Sequence, residues 1–304
     1  MQHWHSARMS ITVTLAPALR DWLAGNLARG TSPAAMIEAL VARQFEPRVA
    51  QGLIAAFVDA QAAGLPLPQH SVELGIELPA YDYGTPRIAA GNVIDAAGHA
   101  ARVLLRLVQP VIVTLEGVLS GTECERLIAL ARPRLSRSTV LDPSTGTNAV
   151  ADYRNSDGMF FGLGENPFIA ELDRRVSVLM NCPIENGEGL QVLRYGTGGY
   201  TAPHFDFLIP SSAHNSQSIA RSGQRVSTLI VYLNDVAEGG ETVFPQVGLA
   251  VAPRQGNALY FEYANDRLQV DPRSLHAGAP VLRGEKWVVT KWMRQRRFAP
   301  EPGP

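Results

Sequence analysis

His204 and Asp206 lie two residues apart in GGYTAPHFDF, residues 198–207. On an extended strand side chains alternate between faces, so this imidazole and carboxylate project together while Phe205 and Phe207 turn into apolar packing behind them. A third donor follows in RSLHAGAPV, where His276 stands. Two histidines and one carboxylate are the donor set that holds a non-haem Fe(II) ion on one face and leaves its other positions open. The same ligand count serves zinc hydrolases, in which the metal activates water. An H-x-D triplet alone carries little information, so the residues around it must separate the two.

Lys286 follows His276 across Gly284, in LRGEKWVVTKW. A turn at that glycine would place His276 and Lys286 on neighbouring strands of one hairpin. Among Leu, Val, Tyr and Trp, a buried ammonium needs an anion. A dicarboxylate cosubstrate with one end on the metal supplies it. A lysine exposed on an edge strand is the plain alternative. The only other lysine is Lys291, every remaining basic residue apart from histidine being arginine.

Three long segments carry parts of this set in order: LRYGTGGYTAPHFDF, GQRVSTLIVYLNDVAEGGETVFP and DPRSLHAGAPVLRGEKWVVTKWMR. On them the chain from about 104 to 296 resembles the 2-oxoglutarate- and Fe(II)-dependent dioxygenases of the prolyl 4-hydroxylase type. The resemblance implies an α+β fold with a double-stranded β-helix (jelly-roll) core braced by helices and iron at its open end. It implies His204, Asp206 and His276 as Fe(II) ligands and Lys286 as the partner of the distal carboxylate of 2-oxoglutarate. Thr242 of GGET and Tyr195 of LRYG would assist that lysine. Tyr200, Arg225 of GQR and Trp292 of TKW match positions that line the substrate side, with ordinary barrel packing the competing account of Tyr200 and Trp292. Tyr232 either reaches the cosubstrate or is a strand tyrosine with a satisfied hydroxyl.

The implied reaction uses Fe(II), 2-oxoglutarate and O2, with ascorbate as a reductant, and hydroxylates prolyl residues in a peptide or protein. Succinate and CO2 are the coproducts. A free amino acid or other small metabolite is the alternative substrate. A jelly-roll binding module without chemistry is a remoter alternative, against which all three ligands and the lysine are present. Relatives of this type commonly have a glutamine in the turn before the tyrosine. Here Gly198 and Gly199 stand instead, which predicts a more flexible turn bordering the cleft and bears on substrate choice. Two polar loops, 141–161 with its family-like YRNS and the serine-rich 209–225, are expected to shape that cleft. His214 in the second reads as an exposed loop histidine.

The elements that must position these groups leave clear signals. VLLRLVQPVIVTLEGVL (103–119) is β-branched and interrupted by Pro110, as an edge strand or strand pair would be. Ser120 and Glu123 have capping-box spacing, so a helix follows. Asn166-Pro167 announces a second, with Phe168, Ile169, Leu172, Val176 and Leu179 on one face. After 187 the pattern is strand and turn: EGLQVLRY, QRVSTLIVYLND, GNALYFEYA and EKWVVTKWMR. Many strands at such spacing favour a sandwich or barrel over βαβ units. The first hundred residues read as a small helical region of unassigned role, with Ser32 as an N-cap before 32–45 and a second helix over 48–64. The expected domains are therefore 1–100, a catalytic domain over 101–299, and a tail.

Among 304 residues, 46% are hydrophobic and 18% charged, with a net charge of −1. That is a globular chain with no broad electrostatic pull on nucleic acid or anionic membrane. Cys124 and Cys182 match no metal-binding spacing; two reduced, packed thiols are expected, with a single long-range disulfide the alternative. MQHWHSARMS lacks an apolar run of signal-peptide length, and its His3 and His5 read as part of a frayed terminus. The cytoplasm is the default address; a homodimer stays open.

Overall fold

Pro17, Pro33 and Pro47 each occupy the first position of a helix, where a missing N–H costs nothing. In this computed structural model, which describes residues 11–15, 17–42, 45, 47–74, 81–137, 139–141, 148–150, 155–210, 213–267 and 269–300, they open the helices of a first compact unit, Met1–Ala80. Strand β1 (Ile11–Thr14) is followed by α1 (Pro17–Ala28), α2 (Pro33–Ala42), α3 (Pro47–Ala62) and β2 (Ser71–Leu74). The two strands pair antiparallel, Ile11 opposite Leu74 and Thr14 opposite Ser71. Leu23, Met36, Leu40, Leu53, Ile54 and Phe57 fill the core between them and the helices. Full burial of each such side chain contributes about 1.5–3 kcal/mol. The helical reading of this region was thus incomplete: a two-stranded ribbon closes it. His3 and His5 lie outside the described residues.

The second unit, Tyr81–Pro304, carries the remaining elements. Residues 81–100, grouped with the N-terminal region on sequence, pack here. Glu262 Oε1 accepts from Arg87 N at 2.7 Å and Ile88 N at 3.3 Å, and strand β3 (Val93–Asp95) pairs with β4 (Ala100–Val108). Strand β4 turns at Pro110 into β5 (Val111–Glu116). Helix α4 (Gly121–Ala131) starts on the expected capping box: Ser120 Oγ accepts from Glu123 N at 3.2 Å and Glu123 Oε2 accepts from Ser120 N at 2.8 Å.

Short strands β6 (Ser136–Arg137), β7 (Thr139–Leu141) and β8 (Asn148–Val150) lead to β9 (Asp157–Phe161). Most of the polar loop between them, including Tyr153 and Arg154 of YRNS, lies outside the described residues. Helix α5 (Pro167–Met180) is capped by Asn166, whose Oδ1 accepts from Ile169 N at 3.0 Å.

Strands β10 (Leu190–Tyr195) and β11 (Thr201–His204) come next. The serine-rich stretch after Asp206, expected as a loop, contains helix α6 (Ala213–Ser222), whose last carbonyls are satisfied by distant arginines. Strands β12 (Arg225–Tyr232), β13 (Glu238–Gly239), β14 (Thr242–Phe244), β15 (Leu249–Val251), β16 (Ala258–Glu262), β17 (His276–Gly278), β18 (Val281–Arg283) and β19 (Lys286–Arg294) complete the chain.

Nine strands form an antiparallel major sheet in the order β3-β4-β5-β16-β12-β19-β10-β9-β6, and four form a minor sheet, β11-β17-β14-β15. These are the two walls of a double-stranded β-helix. Phe244 of the minor sheet meets Phe261 of the major sheet edge-on at 5.3 Å, so the core lies between them. One expectation fails here. His276 and Lys286 are not on neighbouring strands of a hairpin: β17 belongs to the minor sheet, β19 to the middle of the major one, and the intervening β18 pairs with β13. Among the described residues no helix is long and apolar enough to cross a membrane.

Candidate active site

The turn before β17 aims His276. Asp271 caps it, its Oδ1 accepting from Arg273 N at 2.9 Å, while Ser274 Oγ donates to Asp271 O at 2.7 Å. The Ser274 carbonyl, so fixed, accepts from His276 Nδ1 at 3.0 Å. A carbonyl can only accept, so the proton sits on Nδ1 and the Nε2 lone pair is free. His204 is held likewise, Nδ1 donating to Ala202 O at 3.0 Å. Pairing of β11 with β17 sets the two histidines opposite each other, rings 4.3 Å apart.

Asp206 stands in the bend just past β11 rather than within the strand. Its Oδ1 is 3.7 Å from His204 Nε2 and its Oδ2 3.7 Å from His276 Nε2. All three donor atoms lie within 4.8 Å of one another, so one ion reaches all of them. Oδ2 also accepts from Thr228 Oγ1 at 2.6 Å, which fixes the carboxylate from behind. Phe205 and Phe207 stack on each other at 4.5 Å and anchor the segment in the core.

The protonation states suit a divalent ion. Burial drives the His276 imidazole down to about 4, so it is a neutral ligand at ordinary pH. Burial works to raise the Asp206 carboxyl, but its electrostatic interactions with His276, His204 and Arg225 and the Thr228 hydrogen bond outweigh it and hold it below its usual range. Two free Nε2 atoms and an ionised carboxylate match the donor set of a non-haem Fe(II) ion, and His204, Asp206 and His276 could hold one.

Beside the triad opens a cleft of about 520 Å³, part of which is open to solvent. Period-two alternation puts Tyr195, Leu193 and Gln191 of β10 and Lys286, Val288, Thr290 and Trp292 of β19 on its wall. Lys286 is 5% exposed; the charge of Glu241 acts on it, but among the described residues no carboxylate lies within ion-pair distance of it. Its Nζ lies 5.7 Å from the Tyr195 ring and 5.6 Å from the Tyr232 ring. Burial lowers its pKa to about 8. Thr242 lines the same end and its Oγ1 accepts from Tyr232 OH at 2.9 Å, so the tyrosine hydroxyl is satisfied there. Tyr195 OH bonds Thr201 Oγ1 at 3.0 Å. A buried, unpaired ammonium in the cleft that holds the metal ligands fits a cosubstrate carboxylate.

The substrate-side candidates separate. Trp292 lines the cleft; Tyr200 and Arg225 do not. Thr201 takes the lining position, while the Tyr200 carbonyl accepts from Asn155 N at 3.0 Å. Arg225 lies under Trp292, its guanidinium 4.2 Å from the indole ring, and pairs with Glu188 at 2.7 Å.

The glycines also differ from expectation. Gly198 N donates to Val281 O and Gly199 O accepts from Val281 N, so the turn is tied to β18 rather than loose. Gly198 has φ +79°, and a Cβ on Gly199 would meet Gly196 O at 2.8 Å, Tyr195 Cβ at 2.9 Å and Asn155 O at 3.0 Å. His214 is half-buried on α6, not an exposed loop residue. Both cysteines are free.

Sequence reasoning missed Gln191, Thr228, Glu188 and Arg294. Extending the alternation back from Tyr195 would have found Gln191. The other three owe their roles to partners far along the chain.

A family model described as the 2OG-Fe(II) oxygenase superfamily matches residues 190–294. Over 202 residues the chain is 43% identical to prolyl 4-hydroxylase 1 of Arabidopsis thaliana, covering 62% of this chain and 70% of that protein. It is 40% identical over 204 residues to prolyl 4-hydroxylase 2 of the same plant, covering 60% and 67%. Prolyl 4-hydroxylase subunit alpha-1 of Rattus norvegicus is 37% identical over 188 residues, which are 62% of this chain but 35% of that subunit. Among solved structures, a viral collagen prolyl hydroxylase from Paramecium Bursaria Chlorella virus-1, in a 2OG complex, aligns at 30% identity and a TM-score of 0.47, covering 60% of this chain and 95% of that one. Triad and sequence thus agree: the chain belongs to the prolyl 4-hydroxylase family of 2-oxoglutarate- and Fe(II)-dependent oxygenases.

Proposed function

We propose that this enzyme hydroxylates prolyl residues within a peptide or protein, at C4 as the family's name implies, and that the cleft binds cosubstrate at one end and substrate at the other. Lys286 takes the distal carboxylate of 2-oxoglutarate, with Thr242 and Tyr195 beside it. His204, Asp206 and His276 would hold the metal, and three protein ligands would leave it room for cosubstrate and O2. When bound, Fe(II) with 2-oxoglutarate and O2 supplies the oxidant that turns a C–H bond into C–OH and releases succinate and CO2. Leu193, Ile230 and Val288 give this space an apolar wall that keeps water from the reacting centre.

The observation that carries the peptide reading lies at the end away from Lys286. Gln191 Oε1 and Trp292 Nε1 are both buried, line the cleft and have no hydrogen-bond partner. One accepts and the other donates, which matches the N–H and C=O of a peptide bond. A free amino acid would instead bring an ammonium and a carboxylate. At this end the described lining residues, Gln191, Thr290 and Trp292, offer no charge to either.

The test is a screen of proline-containing peptides beside free proline, with Fe(II) and 2-oxoglutarate, read as hydroxyproline and succinate together. Stoichiometric formation of both from peptide is expected. Turnover of free proline with none of any peptide would overturn the peptide reading.

A further inference from the structure

Glu188 precedes β10, is 7% exposed and serves two arginines at once. Its Oε1 and Oε2 accept from Arg225 Nε and Nη2, each at 2.7 Å, and Oε1 also accepts from Arg294 Nη1 at 3.0 Å. Glu188 N donates to Trp292 O at 3.0 Å. Arg225 reaches the active site in two ways: its guanidinium lies 4.2 Å from the Trp292 ring, and its Nη1 donates to Asp206 O at 3.4 Å.

Arg294 reaches the other way, to α6. Its Nη2 donates to Ser218 O at 2.9 Å and Gly223 O at 2.6 Å, and its Nε to Gly223 O at 3.0 Å. Arg296 Nη2 adds bonds to Ile219 O and Ala220 O at 3.1 and 2.8 Å. The orphan carbonyls at the end of a helix, where cations are favoured, are thus taken up by side chains of β19 and the residues after it. Gln224 closes the excursion at its base, accepting from Leu208 N at 2.6 Å and donating to Leu208 O at 2.8 Å. The segment therefore leaves the chain directly after the metal ligand Asp206 and returns at Arg225.

We infer that Arg294 is a positioning residue that latches α6 and, through Glu188 and Arg225, sets the place of Trp292 and the Asp206 backbone for substrate. The physical reason is the shared anion. One carboxylate is shared by two guanidiniums, one buried and one half-buried, so a shift of either is felt by the other. Glu188 has no contact with the cleft and acts only through these partners. The inference rests on the peptide reading for its kinetic readout but not for its structural one.

The experiment compares the full-length chain with Arg294→Met, which keeps an apolar stem and loses the latch. Two measurements are made: amide hydrogen exchange on metal-free protein, and separate KM values for peptide and 2-oxoglutarate. Exchange is expected to rise over 213–224 and also over 205–208, with the peptide KM up at least about fivefold and the 2-oxoglutarate KM within about twofold (about 1 kcal/mol on one side of the site alone). A rise in exchange confined to 213–224 with an unchanged peptide KM would sink the coupling. So would an equal loss in every parameter that merely tracks the folded fraction. If Arg294→Met does not fold, Arg294→Lys, which keeps the charge beside Glu188 but not the fork, should show the same split at smaller size. If wild-type protein turns over no peptide, the substrate reading fails while exchange over 205–208 still decides this one.

Discussion

Lys286 and Lys291 share strand β19 but face opposite sides of the major sheet. Lys291 Nζ meets Asp173 Oδ1 of α5 at 2.7 Å, both side chains being nearly inaccessible. Lys286 faces the cleft and, among the described residues, makes no ion pair, only the more distant charge of Glu241 acting on it. Strand parity alone assigns one lysine to structure and leaves the other for an anion.

Lys286→Ala should raise the KM for 2-oxoglutarate by about 10- to 100-fold, the worth of one hydrogen bond to a charged group. Initial rates over a range of 2-oxoglutarate check this. A Lys286→Ala enzyme with unaltered KM would show that the carboxylate binds elsewhere.

The pH dependence follows from the same residue. With its pKa near 8, Lys286 is an ammonium below that pH and a neutral amine above it. Only the ammonium attracts a carboxylate, so 2-oxoglutarate affinity in the resting enzyme should weaken as pH rises through about 8. Because the folded value lies below that of a free lysine, folding carries a cost in the ammonium form. Cosubstrate-free protein should accordingly gain stability from this group as pH rises from about 8 toward 10.5. Calorimetric titrations at several pH values, with Lys286→Ala as the flat reference, measure the first effect.

Thr228→Val keeps the shape of a side chain that is fully buried and removes its hydrogen bond to Asp206 Oδ2. Loss of such an outer partner costs about 10- to 100-fold in metal affinity or activity. An Fe(II) titration should show the loss, with the peptide KM at saturating iron little changed.

Lys291→Met leaves Asp173 as a buried carboxylate without its cation and should destabilise the fold by about 3–5 kcal/mol. The double variant Lys291→Met with Asp173→Leu should recover most of that. Urea unfolding of the three proteins checks both halves, and 2-oxoglutarate binding by the double variant should stay near that of the parent.

Gly199→Ala should be worse than Gly198→Ala. The first pushes a methyl group into backbone oxygens and Tyr195 Cβ, at about 1–3 kcal/mol. The second has open space and pays only for its positive φ, about 1–2 kcal/mol. Melting temperatures should follow that order, and the 2-oxoglutarate KM should rise for Gly199→Ala, because the displaced neighbour is Tyr195.

Much of the fold was legible because its signals are local. Ser120 with Glu123 and Asn166 with Pro167 start helices through bonds that span three residues. The strands around Gln191, Thr228, Tyr260 and Val289 show in β-branched and aromatic runs bounded by turns. Helix α6 was not legible, since its serine-rich stretch has little apolar face and its end is held by Arg294 and Arg296 from far along the chain. Nor was the boundary near residue 80, which depends on Ile88 and Ile94 finding the second core.

For the site, the sequence by itself determined which atoms are available: two imidazoles, a carboxylate and one lysine near the second imidazole. It also determined which face each strand residue takes, because alternation is a property of the backbone. Only the tertiary structure decided what those faces meet. It set His276 opposite His204 across a sheet pairing, put Lys286 on a different sheet from His276, and placed Arg225 beneath Trp292 rather than in the cleft. Covalent neighbours fix direction over a few residues, whereas partners across the fold are chosen by packing that no short stretch encodes.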